Sequence, residues 1–148
     1  MYKRILVPVD GSETSTKALV AALQLAREGG GRVRLMHELD AMAFLTGYEY
    51  SVDLLTVARE FAQKVLDDGL AMAQSAGVPA DSKLLDVPGG RLGEVVAEEA
   101  RSWEADLVVV GTHGRRGVGR VLLGSGAEEV LRMAPVPVLA VRNQAPAR

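Results

Sequence analysis

No cysteine occurs anywhere in the chain. That excludes a disulfide framework, a thiolate zinc site and a thiol nucleophile. Aromatic residues are scarce as well, at 4% of the chain against 48% hydrophobic residues overall. A core must therefore be built from Val, Leu, Ile and Ala, which favours helices packed on a parallel sheet over an aromatic-rich sandwich. An excess of positive charge is missing too. The formal net charge of −2 argues against a nucleic-acid binder, which normally presents a basic face. No apolar stretch is long enough to span a bilayer, and the one in MYKRILVPVD is too short for a signal peptide. A cytosolic protein is expected, and 148 residues suit one domain with a sizeable core.

What the chain does have is glycine, concentrated where it carries chemical meaning. The stretch Val108–Leu131 reads VVVGTHGRRGVGRVLLGSGAEEVL. Three valines run into Gly111, and Gly124-Ser125-Gly126 opens an apolar-periodic segment. A buried strand, a glycine-rich loop and a helix start together form a device for holding an anion. Glycine lets backbone N–H groups approach a ligand, and the first N–H groups of the helix add partial positive charge. The stretch reads as a nucleotide phosphate cradle.

In chain order, Tyr2–Val9 is a short apolar strand ending at Asp10-Gly11-Ser12. A helix over Glu13–Arg27 follows, with Leu19, Ala22, Leu23 and Ala26 on one face, Ser12 or Thr14 as N-cap and three glycines as its stop. Arg32–Leu39 is a second strand, so the opening forms a β-α-β unit with parallel strands. Asp40–Asp53 shows no clean period. Helical spacing returns over Leu54–Ala76 and over Arg91–Trp103, with a weaker strand at Asp81–Val87 between them. Asp106–Val110 is the most hydrophobic strand. Leu123, Ala127, Val130, Leu131 and Ala134 form the last helical stripe, Pro135–Arg142 the last strand, and 143–148 a frayed tail. Without a repeat or linker, residues 1–142 are expected to form a single-domain, open five-stranded parallel sheet. Helices cover both faces of this Rossmann-like α/β fold. In strand order 3-2-1-4-5, strands 1 and 4 meet at the topological switch point. Asp10 and the loop from Gly111 onward are delivered there together.

The glycine spacing is not that of a Walker A loop, nor of G-x-G-x-x-G, since Leu122 occupies the place of the third glycine after Gly117 and Gly119. It is G-x2-G-x9-G-[S/T], on Gly111, Gly114, Gly124 and Ser125. With KRILVPVDGS, GTHGR, the LLGS segment and APVPVLAVR, this pattern resembles the nucleotide-binding branch of the universal stress protein family over nearly the whole chain. The resemblance implies ATP, with accompanying Mg2+, as the bound cofactor. It implies that Asp10 accepts from ribose hydroxyls and that Gly111 and Gly114 let the loop pass close to ribose and phosphates. Gly124, Ser125 and Gly126 would donate to the β- and γ-phosphates. The family's adenine pocket maps to His37-Glu38-Leu39 and Val110, with Glu38 standing where an apolar residue is more usual.

Arg115, Arg116 and Arg120 are placed to neutralise phosphate charge or to be simply solvated. His113 and His37 read as packing residues, since neither has a partnered nucleophile or a metal-ligand spacing. No catalytic or metal-ligating set is assigned. Pro135 and Pro137 suit a sheet edge, and the resemblance implies homodimerisation through that C-terminal strand. The expected function is a nucleotide-dependent stress-response regulator with slow or no hydrolysis, acting with an unidentified protein partner. The alternatives are a weak ATPase or self-phosphorylating enzyme, a dimeric scaffold that binds no nucleotide, and a flavin carrier using Ser12-x-Thr14-x-Thr16.

Overall fold

The computed structural model describes residues 1–39, 52–87, 90–113 and 123–142. The order is β1 (Arg4–Pro8), α1 (Glu13–Gly29), β2 (Arg32–Leu39), α2 (Val52–Ala76), β3 (Ala80–Asp86), α3 (Leu92–Trp103), β4 (Leu107–Gly111), α4 (Ser125–Met133) and β5 (Val138–Val141). All strand pairs are parallel, in the order β3-β2-β1-β4-β5. This is the expected fold, with β1 beside β4 at the switch point.

Alternation along each strand divides the core in two. Ile5, Val7, Val33, Leu35, Leu107 and Val109 face α1 and α2. Leu6, Met36, Val108 and Val110 face α3 and α4, where Val96, Ala100, Ala127 and Val130 meet them. Both faces of the central strands are thus buried, as a parallel sheet requires. The helices end on local chemistry. Ser12 caps α1 by accepting from the Ser15 amide at 3.1 Å, and Gly30 closes it at φ +68°.

The structure departs from the sequence reading in some boundaries and in burial. Gly111 is the last residue of β4, paired with Val141, rather than the first of the loop. The last strand begins at Val138, because neither Pro135 nor Pro137 has an N–H to donate; the Pro137 carbonyl still accepts from Val108 at 3.0 Å. In α4 only Ala127 and Val130 are buried, while Leu123 and Leu131 are exposed. A helix of nine residues covers too little sheet to bury the whole expected stripe. The expected tail, 143–148, and most of Asp40–Asp53 lie outside the described residues.

At the N-terminal end of the strands the charged groups pair with one another. Arg34 makes a bidentate contact with Asp81 at 2.9 and 2.7 Å and reaches Glu99 at 2.8 Å. Lys83 holds the other oxygen of the buried Glu99 at 3.1 Å. The guanidiniums of Arg4 and Arg34 lie 4.5 and 4.8 Å from the Trp103 ring centroid, within cation–π range. The two hydrogen bonds from Arg34 hold the Asp81 carboxyl below the usual carboxylate range, and the same contacts raise Arg34.

Candidate functional site

The switch point is opened by a proline. The Val9 amide donates to Met36 on β2 at 2.8 Å. Successive N–H groups of a strand point to opposite neighbours, so the nitrogen of Pro8 faces β4, where it has no proton to give. The pairing of β1 with β4 runs through Ile5↔Leu107 and Leu6↔Val108 and stops there. The β1–β2 ladder continues to Pro8↔Met36. The two central strands therefore part at their carboxyl ends, where ligands of open α/β sheets bind. Pro8 is visible in the sequence, but its significance requires knowing which neighbour its nitrogen faces.

Asp10 lies on one wall of this crevice. One of its carboxylate oxygens accepts from the Ser12 amide at 2.9 Å, and its own amide donates to Ser15 Oγ at 3.3 Å. The side chain thus closes the turn between β1 and α1, the bland role that a turn carboxylate can fill. A carboxylate has acceptor capacity beyond one such bond, so this role leaves ligand binding compatible with it.

The other wall is the end of β4. Val110 is buried in the α3/α4 face of the core and is paired with Ala140 of β5. Gly111 has a packing reason to be glycine. A Cβ there would stand 2.7 Å from Thr14 Cγ2 and 3.0 Å from the Thr14 carbonyl, so the first turn of α1 presses against the strand end. Thr112 then links three elements through its backbone. Its amide donates to Val141 on β5 at 3.0 Å, and its carbonyl accepts from the Gly124 amide at 2.7 Å. Nothing in the sequence marks Thr112 for this task, because both bonds use main-chain atoms.

Gly124 is the N-cap of α4, and no side chain caps that helix. Its glycine identity is steric, since a Cβ would meet the Thr112 carbonyl oxygen at 2.9 Å. Its amide is engaged by the Thr112 carbonyl, which leaves the amides of the next residues as the donors of this helix start. The amides of Ser125, Gly126 and Ala127 occupy the first turn, where no carbonyl of the helix can reach them. The first bond within the helix is Glu128 to the Gly124 carbonyl at 2.9 Å. Gly126 packs against Leu92 of α3. Among the site residues expected from sequence, Asp10, Val110, Gly111, Gly124, Ser125 and Gly126 belong to elements that meet at the switch point. Gly114 and Arg115, with Arg116 and Arg120, lie outside the described residues.

His37 is buried, with Nδ1 2.7 Å from the Val9 carbonyl, so it ties β2 to the end of β1 as a packing residue. Glu38 is partly buried in register with Leu85 and shares the α3/α4 side of the sheet with Met36 by alternation. The hydroxyls following β1 are engaged locally. Ser12 Oγ accepts from Ser15, while Ser15 Oγ and Thr16 Oγ1 both donate to the Ser12 carbonyl at 3.1 Å. Among the described residues, no group of three His, Cys, Asp or Glu side chains is arranged to hold a metal ion. No described helix is long and apolar enough to cross a membrane.

These features define an α/β protein with an open parallel sheet and a polar helix start beside its switch-point crevice. The chain belongs to the universal stress protein family, whose model matches residues 1–142. Universal stress protein MJ0531 of Methanocaldococcus jannaschii is 36% identical over 145 residues, covering 97% of this chain and 84% of that one. A universal stress protein family structure from Burkholderia pseudomallei superimposes with a TM-score of 0.78 at 35% identity, over 95% of this chain and 96% of that one. The Archaeoglobus fulgidus universal stress protein in complex with dAMP has a TM-score of 0.70 at 23% identity, over 95% and 98% of the two chains. That last likeness bears on the fold.

Proposed function

We propose that the chain binds an adenine nucleotide, ATP with its Mg2+, across the carboxyl ends of β1 and β4, and that occupancy is a regulatory signal. The observation that carries this reading is the start of α4. It has no side-chain cap, its first-turn amides lack helical acceptors, and it adjoins a crevice that Pro8 keeps unzipped. An anion is the natural complement of such a helix end. The dAMP bound to the Archaeoglobus fulgidus protein is consistent with an adenine nucleotide on this fold.

On this reading Ser125, Gly126 and Ala127 donate to phosphate oxygens, and the Ser125 hydroxyl adds a further donor. Asp10 receives ribose hydroxyls, and the backbone at Val110 and Gly111 flanks the sugar. Gly114 and Arg115 belong to the loop that completes the cradle. Mg2+ arrives with the phosphates and neutralises part of their charge. Hydrolysis is slow or absent, because no assigned residue positions a water or supplies a second metal carboxylate. The response is a change of partner state in a cytosolic homodimer joined through β5. Among the described residues that strand ends the sheet, with Leu139 40% exposed, and an apolar edge strand favours pairing with a second copy.

The test is mass spectrometry of nucleotide released from freshly purified, heat-denatured protein, with ATP–Mg2+ titration of wild type and Ser125→Asp. An acidic residue at the first helical position suits the helix dipole but repels phosphate. The variant should keep its melting temperature while losing about 100-fold in affinity. Absence of both copurified nucleotide and measurable binding would overturn the reading, as would a Ser125→Asp protein that binds like wild type.

A further inference from the structure

Between α1 and α2, on the surface away from the switch point, runs an apolar groove of about 540 Å3. Val20 and Leu23 of α1 form one side, and Ala71, Met72 and Ala76 of α2 the other, with Arg27 at one end. The groove exists because α2 presents small residues where α1 presents Val20, which is 50% exposed. Gln24 and Ser75 add uncharged polar groups to the lining. A second pocket of about 210 Å3 shares Met72 and continues towards Gly11. There the cation Lys64 is matched by Asp68 at 3.1 Å.

The groove has no such match. Arg27 is the one charged side chain lining it, and among the described residues Arg27 makes no ion pair or side-chain hydrogen bond. The volume falls within the range of small-molecule sites, roughly 300–1,000 Å3. From Val20 to Arg27 the helix advances about 10 Å, the span of a chain of about eight carbons. An apolar trough of that length with a planar, permanently charged donor fork at one end complements a particular shape and charge.

We propose that this groove binds a single-chain aliphatic carboxylate of medium length, its chain along the α1–α2 seam and its carboxylate on Arg27. The site is independent of the nucleotide reading. It shares no residue with the switch-point crevice, so either can fail without the other.

The test is a 15N–1H NMR titration of the full chain with sodium octanoate and with 1-octanol, both far below self-association. Octanoate should produce saturable shifts confined to the α1–α2 seam, with affinity about tenfold above octanol, the difference set by the charge-assisted bond. Arg27→Gln should bring octanoate down to the level of octanol and leave octanol unchanged. Because a cation in the last turn also complements the helix dipole, the variant is read on this preference rather than on stability. Ala71→Leu, a substitution at an exposed position that fills the trough, should weaken both ligands. Failure of octanoate to saturate, equal binding of the two ligands by wild type, a preference that survives Arg27→Gln, or shifts outside the seam would each overturn the proposal.

Discussion

Helices α1 and α4 start at the carboxyl ends of neighbouring strands and are built in opposite ways. The start of α1 is closed on itself: the Ser12 hydroxyl takes the Ser15 amide, two further hydroxyls return to the Ser12 carbonyl, and Asp10 takes the Ser12 amide. The start of α4 has a glycine N-cap and no side-chain cap. The hydroxyls of Ser12-x-Thr14-x-Thr16 at the start of α1 are what suggest a flavin carrier as an alternative. In the fold the hydroxyls of Ser12, Ser15 and Thr16 already serve the turn, whereas the glycine-capped start of α4 keeps its first-turn amides free of helical acceptors. The lesson concerns accounting for each polar group rather than counting polar residues.

The sharpest way to break the comparison is to remove the same hydroxyl at both starts. Ser12→Ala deletes a cap bond and should lower stability by about 1 kcal/mol, a melting shift of roughly 2–4 °C for a chain of this size. Ser125→Ala deletes no capping bond and should leave the melting temperature within about 1 °C. Nucleotide affinity should respond in reverse, falling several-fold for Ser125→Ala and staying within about twofold for Ser12→Ala. Calorimetric melts and ATP–Mg2+ titrations on the two variants give the four values. Parallel behaviour of the two serines would erase the distinction between the helix starts.

Much of this architecture is legible in the sequence. The alternation of apolar runs with helical spacing specifies five strands with helices between them, and the lengths leave little choice but a parallel sheet. The boundary errors share one origin, which is that neighbours in space are not neighbours in sequence. Gly111 reads as a loop glycine, yet it completes a strand and is glycine because Thr14 of α1 lies against it. Gly124 reads as part of a loop pattern, and it is glycine because a Cβ would meet the Thr112 carbonyl that its amide also bonds. Pro8 reads as a residue within an apolar run, and its effect depends on which neighbour its nitrogen faces. The Arg34–Asp81–Glu99 cluster joins three elements, and no local period announces it.

Pro8 supports a second, smaller test. Pro8→Ala supplies an amide aimed at β4 and allows the ladder to run one step further. The added hydrogen bond and the looser unfolded chain oppose each other, so stability should change by less than about 1 kcal/mol. The new amide at position 8 should be protected from hydrogen exchange, and nucleotide affinity should fall as the crevice narrows. An unprotected amide at that position would show that β1 and β4 part for another reason.

The smallest effect belongs to the opposite end of the sheet, which serves as the control. Arg34 lowers the carboxyl of Asp81, so the folded protein binds that proton less readily than the unfolded chain does. A group of this kind contributes stability that is complete above the ordinary carboxylate value of 3.8 and is lost as pH falls through the lowered folded value. Asp81→Asn has no such proton to gain. It should be slightly less stable than wild type at neutral pH, with the difference shrinking as pH drops below that value. The Asp81 side chain is 45% exposed, and solvent screens the pair, so the neutral-pH gap should stay under about 1 kcal/mol and decrease with salt. Denaturant titrations across the acid range measure it. Nucleotide affinity at neutral pH should be unchanged, because this cluster lies at the amino ends of the strands. A loss of affinity in Asp81→Asn would mean that the two ends of the sheet are coupled, and that the start of α4 does not act alone.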